Sequence, residues 1–159
     1  MTVPSREAVP SRGVRLGVDV GQVRVGIALS DPDGILATPL VTLPRDLKTG
    51  IDAVPTDISE IARLVEVHEV VVVVVGLPVT LAGGHGPAAT QATAYAQRLA
   101  ATIAPVPVDL VDERMSTVVA SRRLAERGVR GRRQRAVVDQ AAAVEILQSW
   151  LDRQRRRTG

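Results

Sequence analysis

Acidic residues in three segments carry the chemistry that this sequence can offer. Asp19 stands in G-V-D-V-G, Asp112 and Glu113 stand in tandem in V-D-L-V-D-E-R, and Asp139 stands in V-V-D-Q-A-A-A. An ionised carboxylate on a packed face is costly unless a cation accompanies it. Carboxylates brought together without a local lysine repel one another and call for a cation. The 159-residue chain has no cysteine, which excludes a thiolate metal centre, and only two histidines, His68 and His85, which disfavours a histidine-based one. An oxygen-only, carboxylate-rich pocket suits Mg²⁺ or Mn²⁺. Such ions, held as a pair, promote phosphodiester hydrolysis by activating water and stabilising the leaving oxygen.

Each acid has a structural alternative. Asp19 can pair with Arg24 or Arg15, Asp112 and Glu113 can cap a helix from Ser116, and Asp139 can cap a helix beginning at Gln140. The elements expected around them favour the cluster. From Val14 to Gly21 the bulky residues Val14, Leu16, Val18 and Val20 alternate with Arg15, Gly17, Asp19 and Gly21. A second run sets Val23, Val25, Ile27 and Leu29 against Arg24, Gly26, Ala28 and Ser30, with a turn at Gly21-Gln22. Each strand thus has a bulky face and a face of small residues, on which Asp19 lies and which a helix can approach closely. On the last helix, expected over about Ala136–Arg155, Asp139, Ala143, Ile146 and Trp150 share one apolar face. That helix brings Asp139 toward Asp19. Glu113, at the C-terminal end of a buried strand, completes a proposed cluster of Asp19, Glu113 and Asp139. The spacing leaves open whether Asp112 or Asp31 joins it.

The remaining elements follow from local signals. Asp31-Pro32-Asp33-Gly34 marks a turn, and Leu36 to Leu43 reads as a third strand. Thr56 or Asp57 is placed to cap a helix running to about His68. Six consecutive valines, Val70–Val75, predict a strand buried on both faces. An Ala-rich helix over Ala88–Ile103, a strand over Val106–Val111, and a helix from Ser116 to Gly128 follow. The order predicts one α/β domain over residues 13–155. Its mixed five-stranded sheet has three antiparallel strands followed by parallel ones, with helices on both faces. Residues 1–12 are expected as a disordered tail and 156–159 as a basic one.

Charge is distributed unevenly. Residues 1–113 carry 8 basic and 13 acidic side chains, whereas residues 114–159 carry 12 basic and 4 acidic, for a net charge of +3. All basic residues but Lys48 are arginine, whose planar fork suits phosphate. The run R-G-V-R-G-R-R-Q-R at 127–135 is expected as a basic loop that grips a nucleic-acid backbone. With no Phe, one Tyr and one Trp, base-stacking platforms are disfavoured. No apolar stretch is long enough to span a membrane, and with no export signal the expected location is the cytoplasm.

The segments GVDVGQVRVGIALSD (17–31), VVVGLPVTLAGGHG (73–86), VDLVDERMST (108–117) and VDQAAAVEILQSWL (138–151) resemble the YqgF/RuvX family. These are RNase H-like proteins described as pre-16S rRNA nucleases and as Holliday-junction resolvase-like proteins. The resemblance implies an RNase H-like fold and a Mg²⁺- or Mn²⁺-dependent nuclease whose metal-binding and catalytic acids are Asp19, Glu113 and Asp139. It places Gly76, Leu77 and Pro78 near substrate and makes Arg24 and Arg114 phosphate contacts, beside Arg130, Arg132, Arg133 and Arg135 of the basic run. The implied substrate is the 5′ end of pre-16S rRNA, with branched DNA second, and the ribosome or a pre-ribosomal particle as a partner. The chain departs from the family's usual N-M-D-G after G-L-P, having Thr80-Leu81-Ala82-Gly83, and has Val119 where an acid is common. Two other readings compete: a non-catalytic RNA-binding assembly factor, and a sugar-kinase or actin-like ATPase lobe, against which the length argues. Symmetric junction cutting requires a homodimer, whereas rRNA trimming is possible for a monomer.

Overall fold

The computed structural model describes residues 12–78, 86–112 and 132–158. Five strands, β1 (Val14–Val20), β2 (Arg24–Ser30), β3 (Ala37–Pro44), β4 (Val70–Leu77) and β5 (Val108–Asp112), form one sheet in the order β3-β2-β1-β4-β5. β1 pairs with β2, and β2 with β3, antiparallel; β1 pairs with β4, and β4 with β5, parallel. This is the expected mixed sheet. Helices α1 (Thr56–Val67) and α2 (Pro87–Ile103) cover one face, and α3 (Arg132–Thr158) covers the other.

The two-faced strands explain this layering. Leu16, Val18, Val25 and Ile27 pack with Ile58 and Ile61 of α1 and with Tyr95 and Leu99 of α2. The opposite face presents Gly17, Gly26 and Ala28 to α3, which buries Ala143, Ile146, Leu147 and Trp150 against it. The valine run divides between the two cores: Val73 and Val75 join the first, Val72 and Val74 the second. Truncating such fully buried side chains to alanine costs about 2–5 kcal/mol in general. Trp150 donates its indole N–H to Asp109 Oδ2 at 2.7 Å, tying α3 to β5.

Several boundaries differ from expectation. The β1–β2 connection takes in Gly21, Gln22 and Val23, closed by the Gly21 N–H bonded to the Arg24 carbonyl at 2.9 Å, and Val23 is exposed rather than packed. α3 has already begun at Arg132, so Arg132, Arg133 and Arg135 belong to a helix and not to a basic loop. Arginine is a good helix former, and nothing in R-R-Q-R opposes the helix. α3 also continues through Thr158, so Arg156 and Arg157 extend it. At α1, Pro55 occupies the N-cap without a side-chain bond, and Asp57 points into the core instead of capping. No helix among the described residues is long and apolar enough to cross a membrane.

Candidate active site

The parallel registers gather the C-terminal ends of three strands at one edge of the sheet. Val18 pairs with Val75 and Gly76 with Val111, so Asp19, Gly76 and Asp112 approach the same edge. A cleft of about 320 Å³ opens there, bordered by Asp19, Arg24, Pro78, Gln91 and Asp139.

Asp19 lies opposite Gly26 in the β1–β2 ladder and is only 3% exposed. Gly26 is what lets α3 reach this spot. A Cβ there would lie 2.1 Å from the Asp139 carbonyl oxygen, so any side chain would collide with the helix backbone. Gln140 adds a bond from its Nε2 to Thr42 Oγ1 at 3.1 Å, fixing the same helical turn to β3. Asp139 therefore sits one turn or more inside α3, not at its start, which removes the capping role for it. Its Oδ2 accepts a hydrogen bond from Arg24 Nε at 2.7 Å, in an ion pair whose side chains are 29% and 18% exposed. Asp19 and Asp139 thus border one cleft from two elements 120 positions apart, with Arg24 between the turn and the helix.

The other expected site residues fall as follows. Pro78 borders the cleft, whereas Gly76 and Leu77 are the last residues of β4. Asp112 ends β5, paired in register with Leu77. Glu113, Arg114 and Arg130 lie outside the described residues, as do Thr80–Gly83 and Val119. Arg132, Arg133 and Arg135 occupy the first turn of α3, upstream of Asp139. Asp31 lies at the far end of β2, where its carboxylate accepts the N–H groups of Asp33, Ile35 and Leu36. Those bonds hold its pKa below the usual carboxylate value, Leu36 contributing most. It closes a turn and is not part of the cleft. Arg15, the alternative partner considered for Asp19, directs its guanidinium to the carbonyls of Gly13 and Pro32.

Residues beyond those expected also shape the site. Gln91 reaches the cleft from α2. Behind the β1–β2 turn, Arg45 donates its backbone N–H to Val23 (2.8 Å) and its guanidinium to the Gly21 carbonyl (3.1 Å). The same guanidinium lies 5.4 Å from the centroid of the Tyr95 ring, and the Tyr95 hydroxyl donates to Asp57 Oδ2 at 2.8 Å in the core. Burial, and secondarily the Asp57 charge, push the Tyr95 pKa well above its ordinary value.

The model of the RuvX family, described as Holliday junction resolvase, matches residues 13–153. The chain belongs to the RuvX family. Curated relatives extend over nearly the whole chain. A protein of Rhodococcus jostii strain RHA1 named "Putative pre-16S rRNA nuclease" is 56% identical over 155 residues, covering 96% of this chain and 86% of its own. One of Mycobacteroides abscessus with the same name is 58% identical over 150 residues, covering 94% and 87%. Among solved structures, T. thermophilus RuvC in complex with a Holliday junction substrate aligns with a TM-score of 0.51 at 18% identity, covering 92% of this chain and 97% of that one. At that identity the likeness is one of fold, and it agrees with the RNase H-like architecture that the RuvX motifs implied.

Proposed function

We propose that this RuvX-family chain is a divalent-metal-dependent nuclease that hydrolyses phosphodiester bonds in structured RNA, at the 5′ end of pre-16S rRNA. The observation that carries the reading is the convergence of Asp19 and Asp139 on one cleft beside Arg24. The names of the relatives support the choice of RNA. The donor set suits Mg²⁺ or Mn²⁺, since it consists of carboxylate oxygens, and a cation, the Arg24 guanidinium, already sits on Asp139 Oδ2. Among the described residues no group of three potential ligands is assembled; the third proposed ligand, Glu113, follows directly after β5.

In this reading Asp19, Glu113 and Asp139 hold two metal ions, which when bound supply an activated water and charge stabilisation for the leaving oxygen. Arg24 and the arginines at the start of α3, with Arg114 and Arg130, hold the phosphate backbone. Pro78 and Gln91 shape the walls that orient the strand. Pre-ribosomal RNA or its particle is the partner, in the cytoplasm, and one domain over 13–155 performs the reaction. A second reading, resolution of branched DNA, is favoured by the description of the family model and by the fold shared with RuvC.

The test is cleavage of a precursor-16S 5′-end RNA and of a four-way DNA junction with Mg²⁺ or Mn²⁺, with EDTA and Asp19→Asn as controls. RNA cleavage that requires metal and falls by about 10²-fold or more in the variant is expected. Preferential junction cutting supports the second reading. Binding of RNA without any cleavage overturns the nuclease reading in favour of an assembly factor.

A further inference from the structure

Arg24 makes a contact that a phosphate-binding arginine at a metal site does not need. Its Nε is bonded to Asp139 Oδ2, one of the oxygens that the proposed function assigns to a divalent cation. The pair is partly buried, so the guanidinium offsets much of the charge that Asp139 brings into the cleft. A guanidinium and a divalent ion held on one carboxylate repel each other at close range, so the ion pair opposes metal binding at Asp139. Arg24 is also anchored at its backbone, because its carbonyl closes the β1–β2 turn at Gly21 and that turn is held in turn by Arg45. The side chain can therefore move while its Cα stays at the rim of the cleft.

We propose that Arg24 is an exchangeable counter-ion for the RuvX-family site. It neutralises Asp139 until a divalent cation displaces it, and it then turns its fork of donors to the phosphate backbone lying in the cleft. The same residue lowers the affinity for metal in the absence of nucleic acid and raises the affinity for nucleic acid once metal is in place. Metal and substrate loading are thereby coupled through one side chain. The inference rests on the metal-dependent reading above.

Calorimetric titration of the full chain with Mn²⁺, without nucleic acid, tests it. Arg24→Gln is expected to bind Mn²⁺ roughly 30-fold more tightly than wild type at low salt, the effect of one unit charge removed about 4 Å from a divalent ion in a water-like cleft. Arg24→Lys keeps the charge and is expected to match wild type, and in an Asp139→Asn background the Arg24→Gln effect is expected to vanish. With Ca²⁺ in place of Mg²⁺ or Mn²⁺, Arg24→Gln is expected to bind precursor RNA more weakly, with a salt dependence reduced by about one phosphate contact, and in EDTA that loss of a phosphate contact is expected to be absent. Unchanged or weaker Mn²⁺ binding by Arg24→Gln, equal tightening by Arg24→Lys, or a persisting effect without Asp139 overturns the proposal while leaving the metal site standing. Failure of wild type and all variants to bind Mn²⁺ overturns the metal reading itself, and this proposal with it.

Discussion

Gly26 and Asp139 touch backbone to backbone: a Cβ on the glycine would lie 2.1 Å from the Asp139 carbonyl oxygen and 2.5 Å from its carbonyl carbon. Because Gly26 is the ladder partner of Asp19, this contact sets how closely the two acids of the cleft approach. Gly26→Ala is expected to cost about 3 kcal/mol, the upper part of the range for overpacking, since helix backbone cannot rotate away as a side chain can. At Gly17 the obstacles are the Leu147 Cβ at 2.7 Å and the Ala143 carbonyl oxygen at 3.0 Å, both farther than the 2.1 Å contact at Gly26, so Gly17→Ala is expected to cost less. Urea unfolding of the two variants checks the order; equal costs contradict it.

The buried pair of Tyr95 and Asp57 predicts a pH dependence at the alkaline end. The folded protein holds the tyrosine proton more tightly than the unfolded chain does, because burial and the adjacent carboxylate disfavour tyrosinate. The resulting stabilisation is complete below the ordinary tyrosine value of 10.0 and declines as pH rises above it. Tyr95→Phe is expected to flatten this decline in urea unfolding between pH 9 and 11. At neutral pH the variant is expected to lose about 1–3 kcal/mol, because Asp57 Oδ1 is already buried without a partner and Oδ2 would join it.

Arg45 is the support behind the cleft's turn. Removing its side chain as Arg45→Ala deletes the bond to the Gly21 carbonyl and the contact over Tyr95, an expected loss of about 1–2 kcal/mol. The freed turn carries Arg24, so RNA binding in the presence of Ca²⁺ is expected to weaken as well. Intact RNA affinity in a destabilised Arg45→Ala protein would separate the turn's order from the cleft's function.

Much of this arrangement is legible in the residue pattern, because it rests on periodicities. The split of β1 and β2 into bulky and small faces predicts which side α3 covers, and the i, i+4, i+7, i+11 spacing from Asp139 to Trp150 predicts which face α3 presents. What escapes is pairing between distant positions that carry no local signal. Asp57 and Tyr95 are 38 residues apart, and Asp57 reads locally as a helix cap because its type suits one. Arg24 and Asp139 are 115 apart, and from spacing alone Arg24 is as good a partner for Asp19. The early start of α3 is missed because Gly128 and Gly131 suggest a loop, while the arginines beyond them are helix formers. Gln91 carries no signal at all: it is one polar residue in an Ala-rich helix.

In the proposed function Asp19 and Asp139 hold a divalent cation between β1 and α3. Anomalous diffraction from crystals grown with Mn²⁺ tests it most directly. A manganese peak is expected in the cleft within coordination distance of both carboxylates, with the Arg24 guanidinium displaced from Asp139. A cleft without manganese at saturating concentration, with the Arg24–Asp139 pair intact, would contradict it.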